Sequence, residues 1–181
     1  MPKSEGKMQH AWSVPVAKGE VPPSGRHFNI IADEHARAAV ARLAGVVDLP
    51  RLGASFDLTP HRDNGLRVID RVSAAVTQTC SVSLESMTSE VTEEVDLVFL
   101  PSPAEASGPT RREVEVLLED EPELLIDGKI DLGGIATEFL MLGINPYPRK
   151  ADSLFEAPRV ESKSPGHFSA LARLGKGTQE E

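Results

Sequence analysis

Apolar and polar residues alternate in three long runs across the middle of the chain. From Leu49 to Leu58, the residues Leu52, Ala54, Phe56 and Leu58 fall on one side with polar neighbours between them. In the next run Leu66, Val68, Val72, Ala74 and Val76 share a face, and Arg67, Arg71, Ser73 and Thr77 share the other, the alternation continuing to Gln78 and Cys80. The third run sets Val91, Val95, Leu97 and Phe99 against Thr92, Glu94 and Asp96. A period of two puts each set on one side of a pleated strand. The first two runs are joined at 61–65, where Asn64-Gly65 is a strong hairpin signal. Three such runs joined by short turns predict an antiparallel sheet, with its second face solvated or covered by only one or two helices. The middle strand is long enough to bend, which makes a barrel-like closure a further expectation.

Two stretches change period. Asp33 is a natural N-cap for a helix to Leu43, in which Ala36, Val40 and Leu43 share a face and Gly45 is the terminator. A second helix follows the turn dipeptide Asp127-Gly128, capped by Asp131. Leu132, Ile135, Ala136, Phe139 and Leu142 form its apolar face, and Gly143 is expected to end it in a left-handed conformation. Pro146 and Pro148 forbid its resumption and hold Tyr147 between two restricted backbone positions. Upstream, Trp12, Val14 and Val16 alternate as a short strand and His27–Ile31 as another. Pro15 and the Pro22-Pro23 pair assign both to edges. Residues 101–112 read as a loop, and the acidic run 113–123 as a strand or a disordered segment that Leu124–Ile126 returns to the sheet. Near the end Phe168, Leu171 and Leu174 suit a short helix. The expectation is an α+β protein with two main helices: a flexible 1–10, one domain over 11–150 and a mostly flexible tail over 151–181.

Charge narrows the function. Among 181 residues, 28 acidic side chains face 19 basic ones, for a formal net charge of -9. Neutralising phosphates dominates non-specific nucleic-acid binding, and an acidic surface gains little from it. A basic protein is the better-matched partner. The single cysteine, Cys80, makes no internal disulfide and fits a reducing compartment. The first residues, MPKSEGKMQHAW, contain no apolar signal core, and no run approaches the ~20 apolar residues of a membrane span. A cytoplasmic protein without a membrane segment is expected.

The runs IDLGGIATEFLMLGINPYPRK, VTQTCSVSLE (76–85) and SPGHFSALARLGK (164–176) resemble the YceD family (DUF177), and the likeness extends from about Trp12 to Lys176. It is similar to the alphaproteobacterial branch. The resemblance implies a non-enzymatic factor supporting synthesis, processing or stability of the 23S rRNA of the large ribosomal subunit. Many members carry Cys-x-x-Cys at the Cys80 position, where two thiolates would help hold zinc. Here the second position is Ser83, a poor zinc ligand, so no metal and no cofactor is expected.

The residues agree in offering no catalytic pattern. His10, His27, His35, His61 and His167 lie mainly in tails, loops and a helix start, with no pattern pairing one to a nucleophile. No Gly-x-Ser-x-Gly elbow or phosphate loop is present. Cys80 reads as a small apolar residue at a strand end. The acidic tract of Glu113, Glu115, Glu119, Asp120, Glu121 and Glu123 is either a solubilising loop or a docking surface for a basic ribosomal protein or large-subunit assembly intermediate. Tyr147, Arg149 and Lys150 serve as core cover and rigid exit, as a recognition edge, or as both. The competing class is direct RNA binding through Arg62, Arg67 and Arg71, with Arg149 and Lys150. A solvated strand face explains the first three as well, and aromatics at 4% supply no stacking platform.

Overall fold

The computed structural model describes residues 11–62, 64–101 and 122–155. The long alternating runs become β3 (Asp48–His61), β4 (Gly65–Thr79) and β5 (Ser86–Pro101), with β2 (Arg26–Ile31) outside β3. All three of these pairings are antiparallel, and the registers Leu58↔Val68↔Leu97 and Ala54↔Val72↔Glu93 line up the predicted faces. β6 (Glu123–Leu125) completes the order β2-β3-β4-β5-β6. It runs parallel to β5, so the sheet is mixed at that edge. The sheet stays open between β2 and β6 rather than closing into a barrel. The short strands β1 (Pro15–Ala17) and β7 (Lys129–Asp131) pair separately. The edge positions inferred from the prolines hold for β1 and β2.

Both helices, α1 (Glu34–Ala44) and α2 (Leu132–Gly143), bury their apolar sides in one core with a single sheet face. α1 packs on β3, and α2 on β5, β4 and β1. Phe56, Leu58, Val68, Val72, Val76 and Val95 fill the sheet side of that core. The opposite face is left to water and ion pairs.

The cap of α1 is as expected: Asp33 accepts from the Ala36 amide at 2.8 Å, and Gly45 adopts φ 68°. Its face is not. Leu43 is exposed and Ala41 is buried instead. The same rotation occurs in α2, where Leu132, Ile135, Ala136 and Leu140 are buried and Phe139 is partly so, but Leu142 is 77% exposed. In α2 the cause is angle and not length: Gly143, the next residue, packs against Val91 and Glu93 of β5, while Leu142, about 100° back around the helix, is left at its side.

Gly143 corrects another expectation. It remains helical and is absent from the positive-φ glycines, Ile144 being the C-cap. Glycine serves there by its small size, since a Cβ would come within 2.7 Å of Val91 Cγ1 and Glu93 Cγ on β5, side chains that would have to shift. The turn before α2 is the predicted one: Asp127 and Gly128 have φ 52° and 65°, the left-handed pair of a tight hairpin, and Lys129 N donates to Ile126 O at 3.0 Å. The expected helix at Phe168, Leu171 and Leu174 lies outside the described residues, as do 1–10, 102–121 and the tail beyond 155.

Candidate functional site

Asp131 fixes the start of α2 in two directions. Its Oδ1 accepts from Gly133 N and Gly134 N at 3.1 and 3.2 Å and from Val14 N at 2.7 Å, so the helix cap also holds the N-terminal segment. At the other end the chain leaves through Asn145–Lys150 and docks on the β4–β5 turn. Ser81 N donates to Pro148 O at 2.8 Å, and Gln78 Nε2 donates to Asn145 O at 3.0 Å. Two segments 70 residues apart in sequence thus form one surface.

Cys80 sits under this junction, fully buried. Burial alone would raise its pKa. Hydrogen bonds from the Ser83 hydroxyl and then from the backbone amides of Lys150, Ser83 and Val82 outweigh it and bring the thiol down to about 6. The Ser83 and Lys150 amides lie 3.4 and 3.5 Å from Sγ. Cys80 is therefore a strand-end residue, as expected, but with polar contacts tying the turn to the exit. Lys150 Nζ bonds Glu85 at 2.7 Å, which raises the pKa of Lys150 and lowers that of Glu85.

Tyr147 is 76% exposed, and the buried residue of the exit is Pro148. The core-cover account of Tyr147 is therefore wrong: the flanking backbone turns the ring outward, with Tyr147 N held by Asn145 Oδ1 at 2.9 Å. Arg149 is exposed beside it. Of the acidic tract, Glu123 is exposed at the start of β6, next to α2, while Glu113, Glu115, Glu119, Asp120 and Glu121 lie outside the described residues.

The arginines on the open face are engaged. Arg67 makes two hydrogen bonds to Asp96 across β4 and β5, at 2.9 and 2.7 Å, which hold the aspartate below its ordinary pKa range. Arg71 meets Asp70 at 3.2 Å, and Arg51 pairs with Glu90. Arg62 lies in the β3–β4 turn, where its carbonyl accepts from Gly65 N. Arg67 and Arg71 are thus each matched to a carboxylate of the same chain.

A cluster that no sequence motif signals is centred on His27, in β2. Its Nδ1 is 2.7 Å from Asp57 Oδ1, and its Nε2 is 3.3 Å from Ser55 Oγ. A histidine is therefore beside a hydroxyl after all, brought there by cross-strand pairing of residues 28 and 30 positions apart. Asp70 joins them. It occupies the register position between buried Phe56 and Val95, but φ 130° turns its carboxylate to the polar face. Hydrogen bonds from Ser55 and then Arg71 lower its pKa. His27, Asp57 and Asp70 each offer one ligand atom within 4.8 Å of the others, a donor set suited to a divalent cation.

Neither catalysis nor metal binding follows from that geometry. The His27 and Asp57 side chains are more than half exposed, so water weakens the dipoles a triad depends on. Ser55 lies within the paired stretch of β3, between β2 and β4, where ladder bonds occupy the backbone amides an oxyanion would need. The cluster's donor atoms already bond one another, Ser55 and Arg71.

The fold and surface define a class: an open α+β sheet with helices on one face, ion pairs on the other, and a rigid apolar-to-polar exit held by the β4–β5 turn. The particular family follows from comparison. The family model described as "Large ribosomal RNA subunit accumulation protein YceD" matches residues 71–172, more than half of the chain, and the chain belongs to that family. No curated protein and no solved structure matches it. Among the described residues no helix is long and apolar enough to cross a membrane.

Proposed function

We propose that this chain is a non-enzymatic, cytoplasmic ribosome-biogenesis factor that supports 23S rRNA accumulation by engaging a basic ribosomal protein or assembly intermediate. The family is named for rRNA accumulation and not for a reaction. The observation that carries the protein-mediated reading is the pairing on the open sheet face: Arg67 and Arg71 each contact a carboxylate of the same chain. Phosphates would have to displace those carboxylates, so counterion release is a weak source of RNA affinity here. The chain's net charge of -9 acts in the same direction.

The residues we assign to partner contact fall in two groups within a domain spanning 11–150: the sequence tract Glu113 to Glu123, whose Glu123 lies beside Phe99 at the far end of β5, and Tyr147, Arg149 and Lys150, which lie at the β4–β5 turn where β5 begins. The exposed ring on a proline-restricted backbone loses little entropy on contact. Binding of the purified chain to 23S rRNA fragments and to purified basic large-subunit proteins, over a salt series, tests the reading. Salt-sensitive capture of a basic protein with weak RNA affinity is the expected result. Tight binding to naked rRNA near physiological salt, abolished by R67A/R71A, would establish the direct RNA-binding alternative.

A further inference from the structure

We infer that the groove between β6 and α2 is a docking site for a basic amphipathic helix of the protein partner. This rests on the protein-mediated reading above and assigns it a location. The groove has a volume of about 400 Å³. Its floor is apolar: Leu97, Phe99, Ile130, Ile135 and Phe139, supplied by β5, β7 and α2. Its rim is apolar as well, through Leu124, Ile126 and Leu142, which are 55%, 68% and 77% exposed.

Three aliphatic side chains around one concavity are more apolar surface than scattered exposed residues explain. They arise from the parallel return of β6 beside β5 and from the rotation of α2 that leaves Leu142 outside the core. The groove is open to solvent, which suits side chains laid into it from a partner's surface better than an enclosed small molecule.

Charge selects the occupant. Glu123 and Glu138 border the groove, and Lys129 is its basic lining residue. Asp131 also lines it. Glu123 immediately precedes the rim residue Leu124. A segment with aliphatic residues on one side and Lys or Arg flanking them satisfies both features. An anionic membrane surface satisfies only the apolar one.

The test uses the full chain and three labelled 15-residue peptides: a patterned one with Leu at helical i, i+3, i+4, i+7 spacing among Lys and Arg, a shuffled one of identical composition, and a patterned one with Glu for each basic residue. Fluorescence anisotropy is expected to give affinity for the patterned basic peptide about tenfold above either control. Leu142→Asp and Glu138→Lys, both at exposed positions, each reduce that affinity about fivefold or more while leaving the circular-dichroism spectrum unchanged. Equal binding of the shuffled peptide, or wild-type affinity in both variants, overturns the inference. So does photo-cross-linking from position 142 that reaches the chain's own 164–176 or a second copy instead of the peptide. Capture of basic ribosomal proteins separates the two levels. Loss of capture in Leu142→Asp supports the groove, and equal capture by wild type and variant overturns the groove alone. No capture by the wild type overturns the protein-mediated reading and the groove together.

Discussion

Substituting Gly133 by alanine probes the joint that the rest of the fold depends on. A Cβ at this position would lie 2.7 Å from Trp12 O, 2.9 Å from Trp12 C and 3.0 Å from Ser13 N, all backbone atoms that have no rotamer to escape into. The segment they belong to is held by Leu132 N donating to Val14 O at 3.0 Å, by Val14 N donating to Asp131, and by the β1–β7 pairing. Overpacking of this kind costs about 1–3 kcal/mol. Alanine's better helix propensity returns about 1 kcal/mol. If the clash is instead relieved by releasing the N-terminal segment, burial of Trp12 and Val16 is lost, and removing a buried Trp side chain alone costs about 3–5 kcal/mol. The milder route sets the expectation: three backbone atoms within 3.0 Å put the overpacking cost at the upper end of its range, for a net loss of about 2 kcal/mol. Urea denaturation measures it, with Gly19→Ala as the control, since a Cβ there meets nothing within 4 Å. Trp12 is the single tryptophan, so a red-shifted native emission spectrum would report partial release directly. Stability within about 0.5 kcal/mol of wild type, with unchanged emission, would refute the claim that α2 and residues 12–14 are packed backbone to backbone.

Leu140→Ala is expected to cost about 2–5 kcal/mol and Leu142→Ala to stay within about 0.5 kcal/mol, the contrast being read from paired urea titrations. Asp131→Ala removes both the α2 cap and the Val14 contact, for a loss of about 2 kcal/mol by thermal and chemical unfolding. The Cys80 thiol has its folded pKa lowered to about 6, so the unfolded chain binds the extra proton between that pH and the ordinary thiol range. Stability from this source is complete above the unfolded pKa and lost as pH falls through about 6. The urea midpoint should therefore rise from pH 6 to 9 in the wild type, and that component of the slope should be missing in Cys80→Ser.

Much of the sheet was legible because alternation with a period of two survives wherever one face is buried. Leu52, Phe56, Val68, Val72 and Val95 had to share a side, and Asp33, Asp131 and the Asp127-Gly128 turn announced themselves by local chemistry. The ends of both helix faces were misread at Leu43 and Leu142. Periodicity gives a direction on the helix but not how wide a sector of it the neighbouring strands cover. Gly143 was misassigned for a related reason: glycine meets a need for space as well as a need for positive φ, and only the position of Glu93 and Val91 tells which.

The candidate surfaces divide in the same way. The excess of carboxylates, the absence of a repeated thiol beside Cys80 and the proline frame of Tyr147 are properties of the sequence alone. Tertiary structure decided that Tyr147 points outward, that Cys80 bonds an exit loop 70 residues away, that β6 returns parallel to β5, and that Arg67 and Arg71 are matched to carboxylates. It also set His27 beside Ser55 and Asp57. Alternation and capping depend on neighbours within a few residues and are written locally. Strand register and the direction of chain return depend on which distant segments bury the most apolar surface together, and that sum exists only once the chain has folded.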